Sequence, residues 1–127
     1  MTDLPPDTRL RLRLHFGPVM LGPGKADLLE QIARTGSIAA AGRAMGMSYK
    51  RAWLLVEDMN HAFAAPLVDS ARGGAKGGGA QLTGTGQTVL TLYRKIEDTA
   101  AEAGAAEIDA LHGMLAPCIE NDMSNGE

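Results

Sequence analysis

Charged and apolar residues alternate strictly through Arg9-Leu10-Arg11-Leu12-Arg13-Leu14-His15-Phe16, which predicts a half-buried strand over 9–16. Its outward arginines can reach phosphate, but solvated strand edges commonly carry cations, and that second reading is preferred. Gly17-Pro18 and Gly22-Pro23-Gly24 predict an end to regular structure. The period then changes. From Lys25 to Thr35 the apolar residues Leu28, Leu29, Ile32 and Ala33 share one helical face, and Gly36 stands where a C-terminal cap belongs.

Ser37 can cap a second helix whose side chains, Ala39, Ala40, Ala41 and Ala44, are nearly all small. Small side chains let a neighbouring helix approach closely. Gly46 supplies the permissive backbone of a turn, and Ser48 caps a third helix running to about Phe63. Two helices around a glycine predict a helix-turn-helix.

The third helix sorts by face at about 100° per residue. Ala52, Leu55, Val56, Met59 and Phe63 point to the core. Lys50, Leu54, Glu57 and His61 point away from it, with Arg51 and Asp58 on one flank and Trp53 and Asn60 on the other. The cations occupy the first turn and the acids follow two turns later. A helix entering a DNA groove by its N-terminus needs that order, because it brings the cations to the phosphates and lifts the acids clear. Tyr49 and Trp53 can stack on bases, but Trp53 is read rather as a flank residue half-packed beneath the wing.

Leu67-Val68-Asp69-Ser70 and Ala80-Gln81-Leu82-Thr83 predict short strands joined by the flexible, glycine-rich Gly73–Gly79 loop, which carries Lys76. Arg72 precedes that loop, and both cations can approach a phosphate backbone there without side-chain obstruction. Thr85 is placed to cap a long helix repeating Val89, Leu92, Tyr93, Ile96 and Ala100. Gly104 breaks it, Ala105 to Leu115 adds a last helix, and residues 121–127 are expected to fray. The fold class is therefore mainly α with a small β component: a winged helix-turn-helix over 1–103, followed by an acidic C-terminal helix and tail over 104–127.

The net charge of −3 changes meaning once it is split. Residues 1–95 hold all 12 Lys and Arg against 7 acids, while 96–127 hold 8 acids and no Lys or Arg. A basic binding module with an acidic tail fits this asymmetry, and two differently charged solvated surfaces would fit it as well.

Other chemistries find little support. A P-loop needs Gly, four residues, then Gly-Lys-Ser/Thr, whereas Ala75 precedes Lys76 and Gly77 follows it. His15, His61, His112 and Cys118 have no tight metal-ligand spacing, and one cysteine allows no internal disulfide. No nucleophile-base arrangement or paired inward carboxylates suggest an enzyme, and neither a cofactor nor a metal is expected. No run approaches the ~20 apolar residues that span a bilayer, and Met1 to Asp7 lacks the marks of a secretory signal. A soluble, cytoplasmic protein without membrane contact is expected.

The run Gly36-Ser37-Ile38, then Gly46-Met47-Ser48-Tyr49-Lys50-Arg51-Ala52-Trp53, then Glu57, Met59 and Asn60, resembles the N-terminal winged helix-turn-helix of ModE, the molybdate-responsive transcriptional regulators. So does Leu67-Val68 followed by Gly73-Gly74-Ala75-Lys76-Gly77-Gly78-Gly79-Ala80, Leu82-Thr83 and Gly86-Gln87. The resemblance covers residues 9–100, and a weaker likeness to LysR-type regulators covers 36–90. It implies double-stranded DNA as partner and a homodimer formed through the helix from Thr85 onward. ModE carries C-terminal molybdate-binding domains, and this chain ends before one could begin. The family's oxyanion site has no residues here to be carried onto, and no small-molecule effector site is expected.

The resulting expectation is a ModE-like, sequence-specific transcriptional regulator without molybdate-binding domains. DNA contacts are assigned to Ser37 and Arg43, to Ser48, Tyr49, Lys50, Arg51 and Trp53, and to Arg72, Gly73, Gly74, Lys76 and Gly77 of the wing. The alternative is a winged-helix interaction module that modulates another regulator by heterodimerisation.

Overall fold

The structure, a computed structural model, describes residues 4–74 and 77–117. Its elements run β1 (Leu14–Phe16), β2 (Val19–Leu21), α1 (Pro23–Thr35), α2 (Ile38–Ala44), α3 (Tyr49–Ala62), β3 (Val68–Gly74), β4 (Gly77–Leu82), α4 (Gly84–Ala103) and α5 (Ala105–Gly113). The chain divides into two compact units, one of residues 11–95 and one of residues 1–10 with 96–127.

The first unit is the winged helix-turn-helix. Leu28, Leu29 and Ile32 of α1 are fully buried against Ala52, Val56 and Met59 of α3, with Leu67, Val68 and Leu82 of the hairpin closing the cluster. Burying each large side chain contributes about 1.5–3 kcal/mol, so this cluster sets the placement of the helices. β3 and β4 pair antiparallel from Val68↔Leu82 to Gly74↔Gly77, with a register shift between Ala71 and Gly74. The hairpin is tied back to the α1–α2 turn by Ala80 N–H donating to Gly36 O at 2.9 Å.

Several expected boundaries move. The strand over 9–16 shortens to Leu14–Phe16, because only Leu14, His15 and Phe16 find partners, in Leu21, Met20 and Val19. Residues 9–13 keep the alternation of exposed and half-buried positions without a ladder. Gly17-Pro18 thus joins two strands of a hairpin. α1 begins at Pro23, two residues earlier than the apolar pattern suggests, since a proline at the first helical position gives up no needed N–H. Thr83, not Thr85, caps α4: its Oγ1 accepts from Gly86 N–H at 2.9 Å and donates to Pro66 O at 2.7 Å. Tyr93, one of the apolar positions repeating along α4, is only 1% exposed, and its hydroxyl donates to Leu12 O at 2.6 Å.

The second unit contains the C-terminal part of α4, from Ile96, and α5. α4 ends before Gly104 as the sequence suggests, and α5 stops at Gly113 rather than Leu115. No residue of α5 is buried. The expected fraying of 121–127 lies outside the described residues.

Candidate DNA interface

The helix-turn-helix corner is built from short-range bonds. Ser37 Oγ accepts from Ala40 N–H at 3.0 Å and starts α2. Gly42 is buried where α2 meets α3, and a Cβ placed there would stand 3.0 Å from Ala52 Cβ. That contact is the close approach predicted by the small-residue second helix. Met47 N–H donates to Gly42 O at 2.9 Å, and Gly46 takes the left-handed conformation, φ +71°, that turns the chain. Ser48 Oγ accepts from Arg51 N–H at 3.1 Å and starts α3.

This corner places Ser48, Tyr49, Lys50 and Arg51 together on the exposed first turn of α3. Arg43 is exposed in the last turn of α2. Several acids of the domain, Asp58 of the same helix among them, are engaged by cations elsewhere. Lys25 Nζ lies 3.2 Å from Asp58, Arg34 2.8 Å from Glu30, and Arg94 2.7 and 2.8 Å from Asp27 and Glu30. Among the described residues, Arg43, Lys50 and Arg51 have no such partner. The unsatisfied N–H groups of the first turn add roughly half a positive charge, so this end of α3 favours an external anion.

Farther along α3 the face changes character. Tyr49 is 56% exposed, Trp53 40% and Leu54 50%. Ser48, Lys50, Arg51, Leu54 and Asp58 line a shallow groove along the helix. Trp53 is therefore a flank residue.

In the wing, Gly73 and Gly74 belong to β3 and Gly77 to β4, with the ladder running out to Gly74↔Gly77. This corrects the flexible loop expected from Gly73 to Gly79. A backbone ladder needs no side chains, so glycines extend it although they carry no strand signature. Arg72 also belongs to β3. Lys76, the wing cation assigned from the sequence, lies outside the described residues.

Asn60, a flank residue in the sequence, anchors the wing to α3. Its Oδ1 accepts from Leu67 N–H at 2.8 Å and Val68 N–H at 3.0 Å, and its Nδ2 donates to Val68 O at 3.2 Å. No group of three or more His, Cys, Asp or Glu able to hold a metal occurs among the described residues. No helix there is long and apolar enough to cross a membrane.

The family model for the bacterial regulatory helix-turn-helix protein, lysR family, matches residues 25–87, from α1 to the first turn of α4. The chain is also homologous to ModE and Mop proteins. It is 48% identical over 88 residues to the molybdenum-pterin-binding protein MopB of Rhodobacter capsulatus, covering 69% of this chain and 31% of MopB. It is 44% identical over 70 residues to the molybdenum transport protein ModE of Azotobacter vinelandii, covering 55% and 26%. To the DNA-binding transcriptional dual regulator ModE of Escherichia coli K12 it is 44% identical over 71 residues, covering 56% and 27%. The chain thus spans less than a third of the length of these relatives. The LysR-type match begins at Lys25, so it takes in α1, which the likeness read from the sequence at 36–90 left out.

Proposed function

We propose that this chain is a sequence-specific, double-stranded-DNA-binding transcriptional regulator of ModE type, with no enzymatic role. One observation carries the reading: within a LysR-type domain, the exposed first turn of α3 bears Lys50 and Arg51 without neutralising partners among the described residues. Ser48, Tyr49, Lys50 and Arg51 meet the major groove and its phosphates, with Trp53 on the flank. Ser37 and Arg43 contribute from α2, and Arg72, Gly73, Gly74, Lys76 and Gly77 from the wing. Asp58, which lines the same groove, is engaged by Lys25 and leaves those cations free for phosphate. Selection of bound duplexes from a random-sequence library, followed by gel-shift with the purified chain, tests this. A recurrent sequence bound more tightly than random duplex is expected, and indifference to sequence at low salt would overturn specific recognition.

The working form is a homodimer. Leu92 of α4 is 56% exposed, and apolar exposure of that kind supports a contact with a second copy. Sedimentation is expected to show a species of twice the 13.3 kDa chain mass at micromolar concentration. A single 13.3 kDa species would exclude it. A chain dimeric only when mixed with another regulator would favour the heterodimerising module.

No molybdate site is expected among the described residues. The glycine backbone of the wing is paired within its own ladder at Ala71↔Gly79 and Gly74↔Gly77, and freeing it to wrap an anion would sacrifice those bonds. Residues 96–127 carry 8 acids and no Lys or Arg, which repel an oxyanion. Calorimetry is expected to show no micromolar binding of molybdate or tungstate to the chain. A saturable micromolar site would refute the assignment.

A further inference from the structure

The cations of α3 account for attraction to phosphate, but phosphate is the same at every base pair. The unexplained feature of the helix is apolar. Leu54 is 50% exposed, and at about 100° per residue it lies nearly opposite the buried line of Ala52, Val56 and Met59. It also follows Lys50 by one turn and shares the groove lined by Lys50 and Arg51. Its aliphatic side chain stands half exposed beside two cations, outside the buried cluster, and gains nothing from water.

We propose that Leu54 is a specificity-determining residue that contacts the C5-methyl group of thymine in the major groove. The inference rests on the DNA-binding reading above. If Lys50 and Arg51 hold the phosphates, the duplex covers the face on which Leu54 stands. Four base-pair edges present themselves in the major groove, and only those containing thymine offer an apolar group. A leucine has no hydrogen bond to give, so the methyl is the feature it can distinguish. The cations beside Leu54 select duplex DNA as the occupant of this face over an apolar protein surface, which would leave them unpaired and desolvated.

The test removes the methyl and nothing else. The best duplex selected by the 127-residue chain is resynthesised with thymines replaced one at a time by deoxyuridine, which keeps every hydrogen-bonding group. At one position or more per half-site, affinity is expected to fall about fourfold, the worth of one buried methyl group. Leu54→Ala should bind the thymine duplex more weakly and show no further loss with deoxyuridine at that position. Leu54→Met, similar in volume, should keep the deoxyuridine penalty. Both variants keep the fold because the side chain is half exposed, and unchanged circular dichroism and melting confirm this.

Sequence-specific binding with no deoxyuridine penalty anywhere overturns the inference while leaving the regulator reading intact. So does a penalty that persists in Leu54→Ala. If selection yields no preferred sequence, the reading of the Proposed function fails first. If Leu54 instead packs on a second copy of the chain, Leu54→Ala alters sedimentation of the DNA-free protein and leaves the deoxyuridine response unchanged, which also overturns the proposal.

Discussion

Gly86→Ala is expected to destabilise the protein by about 3 kcal/mol or more, although alanine is the better helix former by roughly 1 kcal/mol. Gly86 is buried in the first turn of α4, and a Cβ there would overlap the carbonyl oxygen of Leu67 and stand 2.9 Å from its carbon. The obstacle is backbone, and it is held from three sides. Thr83 N–H donates to Leu67 O at 2.9 Å, Leu67 N–H donates to Asn60 Oδ1 at 2.8 Å, and Thr83 Oγ1 donates to Pro66 O at 2.7 Å. Moving Leu67 aside breaks bonds to both α3 and α4, so the clash outweighs the helix preference. A melting-temperature loss of about 10 °C follows for a chain of this size. Gly84→Ala is the control: nothing lies within 4 Å of a Cβ at Gly84, and that variant should melt within about 2 °C of the parent. Equal melting of the two variants would show that α4 can withdraw from Leu67 at little cost.

The corner that forms the candidate site was legible because its determinants are local. Ser37 and Ser48 cap bonds three residues away, and Gly36 and Gly46 occupy left-handed positions that few other residues accept. The inward face of α3 follows from helical periodicity alone, and Ala52, Val56 and Met59 are buried as that periodicity requires. Charge order along α3 was legible for the same reason. That Asp58 is engaged by Lys25 and Glu30 by Arg94 was not, since Lys25 and Asp58 are 33 residues apart and Arg94 and Glu30 are 64.

What escaped the sequence depends on partners distant in the chain. The alternation over 9–16 correctly describes an extended segment with one side inward, but a ladder also needs a facing strand, and β2 serves only residues 14–16. In the wing the error ran the other way. Gly74, Gly77 and Gly79 have no side chains to mark a strand, yet their backbone joins the hairpin ladder. Thr83 became the cap of α4 because its hydroxyl also reaches Pro66, a bond spanning 17 residues. Asn60 and Leu54 were both placed on their correct faces. Only the fold shows that Asn60 is spent on the wing backbone while Leu54 stays half exposed.

Replacing both Lys50 and Arg51 by alanine should separate binding from stability more sharply than any other change. Each cation is exposed and without an ion-pair partner among the described residues, so the folded state loses little. The melting temperature should stay within about 2 °C, because exposed charges of this kind contribute little to stability. Binding to the selected duplex should weaken by about 3 kcal/mol or more per protomer, over a hundredfold, since both charge-assisted contacts to DNA are lost. The dependence of affinity on salt should flatten by up to about two units per protomer if both side chains displace counterions. The single variants divide that loss. Lys50→Ala should weaken specific and random duplexes alike, as a phosphate contact does. Arg51→Ala should reduce discrimination by about 1–3 kcal/mol if its guanidinium takes a base edge. Lys25→Ala provides the opposite case: its side chain is 13% exposed, its ammonium donates to Met20 O at 2.8 Å and pairs with Asp58, so its loss should lower stability and leave the salt slope unchanged. A double variant that binds as the parent does, at every salt concentration, would remove α3 from the interface and with it the functional assignment.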